Sequence, residues 1–574
     1  MTSTPLPFGQ QQKLTSRLRE LVSEYPRGVG IFKEVLQNAD DAGASKLDLF
    51  LDHRSFEKTG LPNSAMGSLL GRAMVFVNDT AFSENDWAKI QDIANSGKVL
   101  DTAKTGRFGL GFNCVYNVTD FPMLLTRDQL GIFDPHAETV ESATLDKPGA
   151  AWRLSELWED YPNLLAPFME FGLTEGQEYF DGTVFRLPLR NQATARRSDI
   201  CQQPFSTGDY RDVVKSVQQH SGELLLFLNS VRQFSISEIN ARGKTKQTLR
   251  VSTVNSSEIE LVQQELRKEL GQPTDTLLEM APLFDDQTWF GKHEIAVQVG
   301  DDKSKEVWWK VRGLYSNNEL IESAIAMGKL QKKAIPLAGA AVRIDSTRPV
   351  GGLSCSLPLP TDSNTPLNID GYFDIYSNRQ DIFQDIGATG VGKARCEWNQ
   401  LLLEHGCAVA AAELLEKVAK ETGTPIYPKW PTVPSGVSEV HERKRFVHEL
   451  PKYIYSALKT RDCIAVNDEF DLVVPSDAKV ANKQISKLLL GEEISIANPT
   501  PPSHVIKGMA SVENEIPRLT QKNVRDLLRD SNFVDCELVD AKRKCLQNRD
   551  SVLALLEFCL SDNDPHDFEV FLWH

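Results

Sequence analysis

The sequence predicts an α/β protein of several domains. Amphipathic helical stretches take turns with stretches of two-residue alternation, and a glycine cluster separates two of them. A chain of 574 residues also exceeds the roughly 250 to 300 residues at which a single core stops growing. Its 41% hydrophobic and 25% charged residues are ordinary for globular protein and supply enough apolar material for real cores.

From Lys13 the pattern is an amphipathic helix ending at the Tyr25-Pro26-Arg27-Gly28 breaker. A second helix runs from Val29 to Ala42, with Gly43 as its stop. Leu47, Leu49 and Leu51 then alternate with Asp48 and Asp52 as in a strand, and Ala73 to Val77 reads as a more buried strand. Ser83, with Asp86 three positions later, predicts a capping box and a helix through Trp87, Ile90 and Ile93. The glycines from Gly106 to Gly111 lead into a helix over 114–120. Gly182 to Arg190 alternates again as the strand closing the first domain. Beyond a polar loop, Asp212 to Val231 reads as a helix and Phe234 to Ile239 as a strand. The Pro-rich stretch Thr424 to Gly436 reads as a linker, and helices such as 524–530 and 551–560 dominate the rest of the chain. The expected domains are therefore 1–200, an α/β domain over 205–423 and a helix-rich region over 437–574. The chain stops just after an expected strand, which predicts a piece of something longer.

Charge excludes several classes. With 63 basic and 79 acidic residues, the net charge of −16 repels phosphate backbones and anionic membranes. No basic and apolar leader opens the sequence, and eighteen uninterrupted apolar residues occur nowhere, so neither secretion nor membrane insertion is expected. The nine cysteines form no CxxC pair, and the histidines near them lack zinc-type spacing. They read as reduced thiols of a reducing compartment, and the chain as a cytoplasmic protein.

Four pieces carry chemistry. On the second helix Glu34, Asn38 and Asp41 stand at i, i+4 and i+7 and share one face, beside an apolar stripe of Ile31, Val35, Ala39 and Ala42. An asparagine oxygen suits magnesium, and a neighbouring glutamate can orient or deprotonate water for attack on a phosphoryl group. Asp79, at a strand end, can accept from the exocyclic amine of adenine. The segment from Thr105 to Phe112 holds Gly106, Gly109 and Gly111, which let backbone approach an anion such as phosphate. Its G-x-x-G-x-G spacing is neither a dinucleotide nor a Walker motif. Thr183, on the closing strand, can support the base through its hydroxyl. Each piece alone has a plainer reading as a solvated face, a turn residue, a flexible loop or an ordinary strand threonine.

Together, and in this order, they resemble the Bergerat-type ATPase superfamily of gyrase, the ninety-kilodalton heat-shock chaperone, histidine kinases and MutL. Within it, 8–45, FVNDTAFSENDW (76–87) and GRFGLGFNCVYNVTDFP (106–122) resemble the sacsin repeat. The resemblance continues through 182–190, 224–231 and 356–383, about two thirds of the chain. It implies an amino-terminal two-layer α/β sandwich with a mixed sheet. It also implies Glu34 as catalytic base, Asn38 as magnesium ligand and Asp79 on adenine. Gly106, Gly109, Gly111 and the Phe112 amide would lie at phosphate, with Thr183 supporting the base. From the second domain, Arg379 would reach the terminal phosphate. Two features depart from the superfamily or go beyond its motif. Asp79 is succeeded by Thr80-Ala81-Phe82-Ser83, without the glycines of the usual lid hinge, and Lys98 and Lys104 stand in the expected lid.

The implied function is a slow, magnesium-dependent ATPase of chaperone type. Nucleotide would drive lid closure and domain docking, with protein clients, co-chaperones and a second copy of the chain as partners. The alternative is a nucleotide-binding scaffold with little or no turnover. A nucleic-acid role of MutL type conflicts with the acidic balance. A histidine kinase would need a helical hairpin bearing a phospho-acceptor His ahead of the ATPase domain.

Overall fold

The computed structural model describes residues 13–24, 27–91, 111–254, 286–348, 350–376, 378–385, 387–434, 445–467, 470–529, 545 and 548–562. The first eight strands are β1 (Lys46–Asp52), β2 (Ala73–Asn78), β3 (Met123–Arg127), β4 (Gln129–Phe133), β5 (Gly149–Arg153), β6 (Phe180–Pro188), β7 (Gln233–Ile239) and β8 (Thr245–Thr253). The next six are β9 (Gln287–Val299), β10 (Asp302–Leu314), β11 (Leu337–Val342), β12 (Gly352–Cys355), β13 (Leu357–Asp362) and β14 (Asn368–Gly371). All fourteen join in one mixed sheet, ordered β13-β12-β14-β11-β10-β9-β8-β7-β1-β2-β6-β3-β4-β5. The pairs β1 with β7 and β12 with β14 are parallel.

Seven helices accompany the first eight strands: α1 (Leu14–Glu24), α2 (Val29–Ala42), α3 (Glu84–Ile90), α4 (Leu154–Asp160), α5 (Pro162–Leu165), α6 (Gln192–Arg197) and α7 (Thr207–Gln219). Strand alternation divides the side chains between the two faces. Met74 and Phe76 of β2 join Phe32 and Leu36 of α2 and Val213 of α7 in one core. Ala73 and Val75 join Leu157 of α4 and Phe168 in another. The expected helix layer thus lies on one face, and short helical turns cover the other. Phe32 meets Phe234 edge-on with centroids 5.4 Å apart, and each such buried aromatic contributes roughly 1.5 to 3 kcal/mol.

The sheet runs unbroken past residue 200, because β7 pairs in register with β1 from Lys46 opposite Gln233 to Asp52 opposite Ile239. The helix expected over 212–231 starts earlier and ends at Gln219, with a separate 3-10 turn at Glu223–Leu225. The helix ends at His220, whose φ of −126° leaves the helical region, while Gly222 returns to it in the 3-10 turn. The helix expected over 114–120 is a 3-10 turn at Gly111–Asn117. Its carbonyls at Tyr116 and Asn117 accept from the buried Arg190 guanidinium, which also pairs with Asp120 at 2.7 Å. The stretch read as a linker is packed: Ile426, Tyr427 and Trp430 are buried in the core shared by β10, β11 and the helices after residue 390. Its prolines break the helix without freeing the chain. The remaining described part is mostly helical, with a small sheet of β15 (Ile464–Val466) and β16 (Asp471–Val473).

Candidate functional site

Helix α2 begins after Gly28, at φ 124°, and stops at Gly43, at φ 88°. Both conformations suit glycine, and the Gly43 N–H closes the last turn on Ala39 and Asp40. Glu34 and Gln37 are buried and Asn38 is half-buried. Gln37 lies three positions from Glu34 and extends the predicted polar face, a spacing that could have revealed it. Asp40, which no motif in the sequence marks, anchors the far end of the helix. Its carboxylate accepts from the backbone N–H groups of Asn229, Ser230 and Val231 at 3.0, 2.6 and 2.9 Å.

Arg379 reaches this helix from beyond β14. Its Nε lies 2.7 Å from Glu34 Oε1, and its Nη1 donates to Gln37 Oε1. A Cβ at position 111 would collide with Glu34 Oε2, so only glycine lets the chain pass beneath the carboxylate. That oxygen is buried and has no hydrogen-bond partner among the described residues. Burial raises the Glu34 pKa, while Arg379 opposes the rise. Cys114 lies close enough for the Glu34 charge to reinforce the upward push that burial gives its thiol.

The other expected residues fall elsewhere along the same layer. Asp79 is exposed, and its carboxylate accepts from Ser45 N at 2.8 Å, Ser45 Oγ and Lys46 N at 3.3 Å. Asn78 pairs with Thr183, which sets Thr183 beside the strand end that carries Asp79. The Thr183 hydroxyl is fully buried and donates to Thr80 O at 2.7 Å. Phe112 stacks at tilted angles against Phe133 and Phe185. It also lines a cavity of about 710 Å³ with Trp87, Ile90, Arg127 and Gly131; Glu34, Asn38, Asp79 and Thr183 are not among its walls. Gly106, Gly109, Lys98 and Lys104 lie outside the described residues.

The second half of the sheet holds α2 through further contacts. Lys33 Nζ donates to Pro358 O at 2.7 Å. Arg312 of β10 donates to Asn229 Oδ1 at 2.8 Å and pairs with Asp370 of β14 at 3.1 Å. Asn229 therefore joins Asp40 of α2, through its backbone, to Arg312, through its side chain.

The Sacsin domain family model matches residues 11–251, the span from α1 to β8 that the first core occupies. The chain carries a sacsin-type amino-terminal region. It is 30% identical to human sacsin (Homo sapiens) over 426 residues, which is 73% of this chain and 9% of sacsin. The chain thus spans about a tenth of that relative's length. Among solved structures, the N-terminal domain of a DNA repair protein covers 64% of this chain and 91% of its own length, at 10% identity. Its TM-score of 0.30 is too low to carry an argument. No described helix of this sacsin-type chain is long and apolar enough to cross a membrane, and its described cysteines form no disulfide.

Proposed function

We propose that the sacsin-type region binds ATP with magnesium and hydrolyses it slowly, as a chaperone-like conformational ATPase in the cytoplasm. The observation that supports this most is the Arg379 guanidinium on the Glu34 carboxylate above Gly111. It joins a candidate base, a compensating cation and a glycine backbone open to a ligand at one place, three parts that phosphoryl transfer uses. Glu34, its pKa raised by burial, is the better matched to hold or take a proton from water near neutrality. Magnesium, when bound, neutralises phosphate charge. Asn38 is its protein ligand, and the sparse protein ligation is usual for an ion that keeps waters and phosphate oxygens.

Adenine belongs at the other end of α2. Glu34 and Gly43 are separated by roughly 13 Å at 1.5 Å per residue, and Ser45, just past Gly43, holds Asp79. A carboxylate offers about four acceptor positions, and three donors leave one for an exocyclic amine. Thr183 supports that strand end from the neighbouring strand. Gly106, Gly109, Gly111 and the Phe112 amide then line the phosphates, and lid closure over them is coupled to docking of the second half of the sheet. Protein clients, co-chaperones and self-association are the partners of this reading.

Calorimetric titration of Mg-ATP, with turnover measured on the same sample, tests the proposal; the absence of both binding and turnover would refute it. Binding without turnover would select the scaffold reading. A specific contact favours that reading too, since an ion-paired Glu34 is a weaker base than a free one.

A further inference from the structure

We infer that Gln37 is the positioning residue that holds Arg379 against Glu34, an assignment that rests on the ATPase reading above. Gln37 is buried, only 3% exposed, one helical turn from Glu34 on the same face of α2. One planar guanidinium engages both residues, its Nε in an ion pair with Glu34 at 2.7 Å and its Nη1 in a hydrogen bond donated to Gln37 Oε1. An ion pair to Glu34 alone is non-directional and would let the guanidinium pivot. The hydrogen bond to Gln37 fixes its orientation, which a lysine ammonium could not reproduce.

The chemistry of the carboxamide fits this task. A second carboxylate at position 37 would compete with Glu34 for Arg379, whereas a neutral oxygen accepts without adding charge. Arg379 itself sits at φ 52°, with its N–H on Tyr376 O at 2.9 Å. A non-glycine residue persists in the left-handed region only where its surroundings over-determine it. A turn at one end and the contacts to Glu34 and Gln37 at the other do so here. The guanidinium is thereby held near Gly111 and the partnerless Glu34 Oε2 before any charge develops, which is the electrostatic preorganisation that phosphoryl transfer requires.

The test uses the full chain with Gln37→Met, which keeps size but removes the acceptor, and Gln37→Ala. Phenylglyoxal modification of Arg379 is monitored by peptide mass spectrometry, with the buried, paired Arg190 as internal reference. Loss of a hydrogen bond to a charged group predicts Arg379 modification about tenfold faster with Arg190 unchanged, and kcat about tenfold lower with KM little altered. Gln37→Glu, which keeps an acceptor, should retain the protection of Arg379. Unchanged Arg379 reactivity in the Met variant overturns the assignment, as does unchanged kcat once Arg379 is exposed. If the Ala variant also loses Arg190 protection it has unfolded, and the size-matched Met variant decides. Should the wild type show no turnover, the ATPase reading falls, while the Arg379 protection still decides whether Gln37 holds it.

Discussion

Half-buried Arg379 and buried Glu34 form an ion pair, Nε to Oε1 at 2.7 Å, between the turn after β14 and the middle of α2. Removing one partner of such a pair is costly because the other charge stays buried. Arg379→Ala is therefore expected to lower turnover at least about tenfold while ATP affinity changes little, since a charge-compensating contact counts mainly in the transition state. Steady-state kinetics beside calorimetry checks this, and a parallel loss of affinity would place Arg379 in ground-state binding instead.

Glu34→Ala should likewise bind ATP and hydrolyse it at least about tenfold more slowly, the lower end of a general-base effect. Burial raises the Glu34 pKa, and Arg379 opposes the rise. Turnover of the wild type should therefore fall, as pH falls, already above the value of about 4.3 usual for glutamate. Removing Arg379 takes away the opposing factor, so the acid limb of the Arg379→Ala profile should move to still higher pH. A limb that stays in place would separate Glu34 from the titration.

Much of this was legible in the sequence because it is local. The cap at Gly43, the Ser83 and Asp86 capping box, the alternation of β1 and β6 and the apolar run of β2 all depend on neighbours within a few positions. The polar face of α2 was legible for the same reason. Asp40 was not, because its partners are the N–H groups of residues 229 to 231, and no periodicity announces a carboxylate that serves distant backbone. The early end of α7 at His220 was not legible either, because no glycine or proline stands there to signal it. The short turn after Gly111 depends on Arg190 arriving from the end of β6. Arg379 itself was reached through family resemblance, and only the structure sets its guanidinium on Glu34 and Gln37.

Asp79→Asn should weaken adenine-nucleotide binding by about 1 to 3 kcal/mol, the usual cost of spoiling a charged hydrogen bond. The substituted amide would also face the Ser45 and Lys46 N–H donors that the carboxylate now accepts. Calorimetry with ATP and ADP should show the same loss for both, since the contact concerns the base. Unchanged affinity would remove Asp79 from the pocket.

A fragment ending near residue 200 should fail to fold, whereas one ending near 254 should fold. The shorter fragment lacks β7, which pairs along the whole of β1, and α7, whose Tyr210, Val213 and Val217 belong to the first core. It also strips Asp40 of three backbone donors. Asp40→Ala in the full chain should destabilise by about 3 kcal/mol or more, as several buried N–H groups lose their acceptor. Circular dichroism melts of both fragments and a denaturant titration of the variant check this, and a cooperatively melting shorter fragment would contradict it.

Lys310 makes stability depend on pH. It is half-buried on β10, donates to Leu226 O at 2.8 Å, and has its pKa pushed down to about 7, first by burial of its ammonium and then by Arg312, with Asp370 opposing. In the unfolded chain a lysine titrates near 10.4. Between about 7 and 10 the unfolded state therefore holds more protons than the folded one, and stability should rise with pH across that window. Below pH 7 both states are protonated and the cost of the buried ammonium is fully present. Lys310→Met removes the titration, so its stability should show less of this rise, at the expense of leaving the Leu226 carbonyl without that donor. The comparison is the difference between wild type and variant in denaturation free energy from pH 6.5 to pH 9.5, which cancels the other titrating groups. That difference should move against the variant as pH rises, and a constant difference would show that Lys310 is not the group responsible.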